Sequence, residues 1–154
     1  MSLNDESPLC NTASQVPQMK IDESAEHLCY GCSKRNPIGL KLRFTTEDGI
    51  TRGKFIPEKY HEGWPGYTHG GILFTLLDEA GGYAVHNEGV ACVTAKSETK
   101  FIKLVETGKT IQIQAQIINK NRRLVEIEST LSNTDGSTIA RNISQWYILS
   151  KIKD

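Results

Sequence analysis

An excess of charge of either sign is the first thing this 154-residue chain lacks. Eighteen lysines and arginines meet eighteen aspartates and glutamates, and the formal net charge is zero. Without a basic surplus there is no electrostatic reason for nucleic acid or an anionic membrane to be the main partner. Long hydrophobic runs are missing too, and none approaches the roughly 20 apolar residues that a membrane-crossing helix needs. The opening MSLNDESPLCNTASQ has acids where a secretory leader needs basic residues, and no apolar segment follows them. Cysteine is scarce: Cys10, Cys29, Cys32 and Cys92 are the whole supply, and in an intracellular chain of this size they read as free thiols or ligands rather than a disulfide framework. The expected class is a cytoplasmic protein whose length suits one domain with a real core and is too short for two.

What is present falls into an ordered series. Residues 1–26 are polar and without sustained periodicity, which predicts a mobile tail ahead of a domain spanning 27–154. HLCYGCSKRNPIGL, residues 27–40, is turn-rich, and Pro37 and Gly39 exclude a regular helix there. LKLRFTTED and ITRGKFIP alternate across Asp48-Gly49, a hairpin signal. A loop, EKYHEGWPGYT, leads to a helix at about His69–Asn87 that ends near Gly89. Four strand candidates follow: VACVTAKSETKFIK, TIQIQAQIIN, RRLVEIESTLS and STIARNISQWYILS, with turns at Asn119–Asn121 and Asp135-Gly136. One long helix among about six antiparallel strands is an α+β pattern, the helix packed on one face of the sheet. One helix cannot cover six strands, so a second copy is expected to cover the remainder, giving a homodimer.

The helix itself, within YTHGGILFTLLDEAGGYA, carries two adjacent acids and two glycine pairs. On a wheel of about 100° per residue, Leu73, Leu76, Leu77, Ala80 and Ala84 form one apolar stripe for the sheet. Asp78 falls nearly opposite, with Gly71, Phe74, Thr75, Gly82 and Val85. Glycine inside a helix costs roughly 0.5–1 kcal/mol against alanine, so the pairs imply close approach by a partner helix or a ligand. Asp is a poor residue for a helix interior because its short side chain competes for backbone groups, which marks Asp78 as a functional candidate. Glu79 lies nearer the edge of the stripe and reads as a solvated acid. At the other end, Thr68-His69-Gly70-Gly71 opens the helix, where unpaired N–H groups favour developing negative charge. Two readings stand for that end: a donor pair for a substrate carbonyl, or a glycine-rich cap without a ligand.

His27-Leu-Cys29-Tyr-Gly-Cys32 has zinc-like spacing, but no second Cys-x-x-Cys exists, and the thiols read as packing groups in a turn. Lys120, Arg122 and Arg123 could meet coenzyme A phosphates, although a solvated hairpin tip is the commoner explanation. Trp64 and Tyr67 suit either an acyl pocket or an interface.

HGGILFTLLDEAGG resembles the helix-opening motif of hotdog-fold acyl-CoA thioesterases of the phenylacetyl-CoA (PaaI) type, with an acid nine residues after the His, here His69 to Asp78. CYGCSKRNPIGLKLRF resembles the segment ahead of the first strand in one branch of that family, and the likeness spans about 27–149. The resemblance implies a hotdog fold, a sheet wrapped round a central helix, in a homodimer often paired into tetramers. It implies hydrolysis of an acyl-CoA thioester with no cofactor. Asp78 would be the base or nucleophile, and the Gly70 N–H, with that of Gly71, would polarise the carbonyl. His69, His61, Trp64, Tyr67, Glu79 and Thr94 would contact the substrate. The sequence departs from relatives that carry Asn or Gln upstream of the His-Gly-Gly, where His61 is the nearest polar substitute. The catalytic His arrangement of hotdog dehydratases is not found. Alternatives are an acyl-CoA binding or sensing module on the same fold, and a structural zinc-bearing protein.

Overall fold

The computed structural model describes residues 26–152, so Cys10 and all but the last residue of the expected tail lie outside the described residues. Six strands and one long helix follow one another: β1 (Phe44–Glu47), β2 (Ile50–Phe55), α1 (Gly70–His86), β3 (Val90–Phe101), β4 (Ile111–Asn121), β5 (Leu124–Ser132) and β6 (Thr138–Lys151). The strands form one antiparallel sheet in the order β1-β2-β4-β5-β6-β3, which leaves β1 and β3 at the edges. This is the expected α+β arrangement.

Each element has a local cause. Asp48 (φ 51°) and Gly49 (φ 75°) take the left-handed backbone that a two-residue hairpin between β1 and β2 requires. α1 is capped by His69, whose ring Nδ1 accepts the Gly71 N–H at 2.8 Å, and it stops at Asn87, with Gly89 at φ 79° turning the chain into β3. Alternate residues of β4 and β5 point inward, Ile111, Ile113 and Ala115 sharing one buried face with Val125, Ile127 and Leu131, and Ile113 pairs directly with Leu131. The helix lays Leu73, Leu76, Leu77, Ala80 and Ala84 on that surface, all buried, as the wheel predicts.

Three details differ from the sequence reading. β1 is short because Leu40 and Leu42, although buried, give their N–H groups to Tyr30 and Gly31 carbonyls (2.8 Å each) and not to a strand. Asn119–Asn121 belong to β4, which runs past an irregularity at Ile117/Asn119, and Arg122 (φ 53°) makes the turn with Arg123. The outer sheet surface is not apolar: Gln112, Gln114 and Gln116 lie there between the buried residues of β4. Exposed apolar side chains gather instead around the start of α1, where Tyr60, Trp64 and Leu104 are 91%, 82% and 76% exposed, with Phe101 and Ile102 close to half. No helix among the described residues is long and apolar enough to cross a membrane.

Leu77 is fully buried at the middle of the helix–sheet contact. Leu77→Ala is expected to cost about 2–5 kcal/mol, from lost burial and the cavity left behind. Gln114→Ala on the outer surface should stay within about 0.5 kcal/mol of wild type. Urea unfolding of the two variants checks the contrast.

Candidate active-site cleft

Burying the leucine stripe fixes where Asp78 goes. It leaves α1 on the side away from the core and faces β3, where the Thr94 hydroxyl donates to its Oδ1 at 2.7 Å. The pair opens on a cleft of ≈ 510 Å³ bounded by α1 from Asp78 to His86, β3 from Ala91 to Thr94, Trp146, and the turn residues His27 and Cys32. Burial raises the Asp78 carboxyl above its ordinary value; the Thr94 hydrogen bond opposes this, and the charge of Glu79 adds to it. Cys92 on the adjoining wall is pushed up to about 11 by burial and then by Asp78. A raised acid, hydrogen-bonded on one oxygen and open to a cleft, can hold and exchange a proton with a bound molecule.

The second glycine pair is explained by Trp146. A Cβ at Gly81 would lie 3.1 Å from the indole Nε1, and one at Gly82 would lie 3.1 Å from the ring edge. The indole, buried with its N–H on the Ser144 hydroxyl at 2.9 Å, therefore needs a helix surface without side chains. What approaches these glycines is the protein's own sheet, not a partner helix or ligand. The sequence did not single out Trp146, Tyr83 or Cys92, and the Gly81-Gly82 pair was the signal that a large group had to come close.

Glu79 is half-buried, contrary to the solvated reading, because the Cys29–Cys32 turn folds over it. The Cys29 thiol lies 3.6 Å from its Oε1. Cys32 is raised to about 12, chiefly by burial, and carries a hydrogen bond with Tyr83.

The remaining candidates sit at the other end of α1. Along a helix rising about 1.5 Å per residue, Gly70 and Asp78 are roughly 12 Å apart, so one chain does not bring both to one carbonyl. The Gly71 N–H is engaged by His69, whereas the Gly70 N–H has no acceptor among the described residues. His61 is built into the loop: its Nδ1 accepts the Glu58 N–H at 2.8 Å, its ring packs on Phe55 at 5.2 Å, and its carbonyl accepts the His69 N–H at 2.8 Å. Tyr67 bridges to Glu106, and Trp64 projects outward. Lys120, Arg122 and Arg123 are exposed at their hairpin, Lys120 3.9 Å from Glu88. A slightly larger hollow, ≈ 580 Å³, lies between residues 104–110 and 133–135. Its Asp135 is satisfied by Ser137 and held below the usual carboxylate range, so of the two hollows the smaller is the one whose acid is held above its ordinary value.

The sign of the Asp78 shift makes a prediction. A carboxyl raised in the fold binds more protons than its unfolded counterpart between 3.8 and the raised value. Stability therefore falls as pH climbs through that window and stays lower above it. Asp78→Asn should melt above wild type near pH 7, the gap closing as pH falls toward 3.8. Thermal melts at a series of pH values check this, and a lower-melting Asn variant near pH 7 contradicts it.

Residues 65–140 match the thioesterase superfamily. A Saccharolobus solfataricus protein that carries a provisional esterase name is 27% identical over 115 residues, 73% of this chain and 75% of that one. The acyl-coenzyme A thioesterase PaaI of Escherichia coli is 29% identical over 72 residues, and the match spans 47% of this chain and only 51% of that enzyme. In three dimensions the E. coli PaaI protein superposes with a TM-score of 0.69 at 21% identity, covering 74% of this chain and 84% of that one. A Streptococcus pneumoniae thioesterase-type protein crystallised with coenzyme A gives 0.69 at 19%, covering 73% and 91%. The chain thus has the hotdog fold, a six-stranded sheet around one helix, and its residues 65–140 carry the match to the thioesterase superfamily.

Proposed function

We propose that the protein is an acyl-CoA thioesterase whose site forms between two copies of the chain. The observation that carries this reading is the Asp78–Thr94 pair, an acid with a raised pKa in an open cleft on the side of α1 that faces away from the core. The names of its relatives, an acyl-coenzyme A thioesterase and a protein crystallised with coenzyme A, support the substrate class.

Asp78 and the Gly70 N–H are too far apart to act on one carbonyl within a chain, and the helix start is ringed by exposed apolar residues. A second copy covering that ring would bring its own helix start to the Asp78 cleft. The Gly70 N–H then polarises the thioester carbonyl, where negative charge develops as the carbonyl is attacked. In the base route, Asp78 takes a proton from water, the water oxygen bonds to the carbonyl carbon, and the C–S bond breaks. The proton passes from Asp78 to the departing sulfur, leaving a carboxylic acid and the free thiol. In the nucleophilic route the Asp78 oxygen bonds to the carbonyl carbon as the C–S bond breaks and the thiolate departs; water then hydrolyses the anhydride, freeing the Asp78 carboxylate and supplying the proton that the thiolate takes up. Thr94 orients the acid in both. Gly71 and His69 shape the helix start, while His61 positions the loop, and Trp64, Tyr67 and Glu79 border the substrate path. This reading needs no cofactor. It implies a homodimer, paired further into a dimer of dimers, and a cytoplasmic location where acyl-CoA is made.

The test is release of free thiol from aromatic, short-chain and long-chain acyl-CoAs, with wild type beside Asp78→Asn. Turnover in wild type with a loss of about 10²–10⁴-fold in the variant is expected. Binding of acyl-CoA without thiol release by folded wild type would replace this reading with that of a binding or sensing module. Equal turnover in the variant would remove Asp78 from the mechanism.

A further inference from the structure

The thiols of Cys29 and Cys32 have no part in the hydrolysis proposed above, yet the fold brings them to a third donor. Their sulfurs and one carboxylate oxygen of Glu79 all lie within 4.8 Å of one another. The sequence offered only a Cys-x-x-Cys with nearby His27; the helix supplies the acid fifty positions further along.

The arrangement is held by several restraints. The turn is closed by the Ser33 N–H on the Cys29 carbonyl at 3.0 Å. It is tied to the chain before β1 by Leu40 and Leu42, and its Cys32 carbonyl accepts from the Arg43 guanidinium at 2.7 Å. Gly31 lies between the two cysteines because Glu79 occupies the space a side chain would need. A Cβ there would be 2.5 Å from the Glu79 carboxyl carbon. Glu79 is fixed to α1, and it forms no ion pair among the described residues. Two sulfurs and a carboxylate thus converge, with no cationic side chain among the described residues paired to the acid.

We propose that Cys29, Cys32 and Glu79 bind a divalent cation of the thiolate-preferring class, zinc foremost, which fastens the 27–42 turn to α1. Two thiolates select this class over magnesium or calcium, which take oxygen donors. Bonds of about 2.3 Å to sulfur and 2.0–2.2 Å to oxygen would draw the three donors inward by rotation of their side chains. His27, on the same cleft, is the fourth ligand. Among the described residues its exposed ring is held only by a long hydrogen bond from the Cys29 N–H, 3.4 Å, and can turn without cost to the core. Tyr83, hydrogen-bonded to Cys32, is the outer-shell donor that a metal-bound thiolate favours. Binding displaces the two thiol protons to solvent.

The experiment uses the full chain, reduced, stripped of metal and made without a polyhistidine tag. Cobalt(II) is titrated and the sulfur-to-cobalt charge-transfer band followed. Zinc is then added to displace it, and melting is recorded with and without zinc. One equivalent per chain, a thiolate band and a zinc-raised melting temperature are expected. Cys29→Ser/Cys32→Ser should lose the band. Glu79→Gln and Gly31→Ala, which keep both thiols, should bind roughly 10–100-fold more weakly, by analogy with losses seen when a site's supporting groups are removed. The last two variants keep the test decisive if the double serine variant fails to fold. No band and no zinc-dependent melting shift in folded wild type would overturn the proposal, as would undiminished binding in Glu79→Gln and Gly31→Ala together. None of these readouts involves thioester hydrolysis, so they stand apart from the outcome of that assay.

Discussion

The burial of one stripe of α1 against the sheet is the constraint from which most of the structure follows. Leu73, Leu76, Leu77, Ala80 and Ala84 can leave water only if the helix adopts a single rotation about its axis. That rotation turns Asp78 toward β3 and Thr94, and Glu79 under the cysteine turn. A helix gripped less firmly could roll, and neither acid would have a defined neighbour. The hydrophobic contact is therefore the positioning device for the polar chemistry, although none of its members lines the cleft.

The glycines divide into two kinds by what meets them. Gly81 and Gly82 admit the indole of Trp146, a packing role inside one chain. At the helix start, a Cβ on Gly71 would press on the His69 ring at 3.0 Å, while one on Gly70 would find only the edge of Phe101 at 3.9 Å. Of the four α1 glycines, Gly70 is thus the one whose lack of a side chain serves no neighbour among the described residues, and its N–H has no acceptor among them either.

Much of this was legible in the sequence, for identifiable reasons. The helix was readable because its apolar residues recur at the helical period and its ends carry His69 and Gly89. The hairpins at Asp48-Gly49 and Asp135-Gly136 were readable because positive φ selects such residues. Asp78 stood out as an acid where a helix is least hospitable to it. What stayed hidden depended on contacts far apart in the chain. The Trp146 ring on Gly81-Gly82 is one such contact, and Glu79 beneath Cys29 another, since no local pattern reports which strand or turn will arrive. Residues 40–42 misled because a buried alternating pattern looks like a strand whether its backbone pairs with a strand or with a turn.

The distance of roughly 12 Å between Gly70 and Asp78 within one helix also bears on dosage. If the donor and the acid that act on one substrate come from different copies, a lone chain is half a catalyst. Above the dimer dissociation constant the rate would scale linearly with protein; below it, with the square of protein concentration. Dilution would then silence the protein faster than it removes it, and activity would vanish from a lightly expressing cell while the polypeptide was still there to be detected.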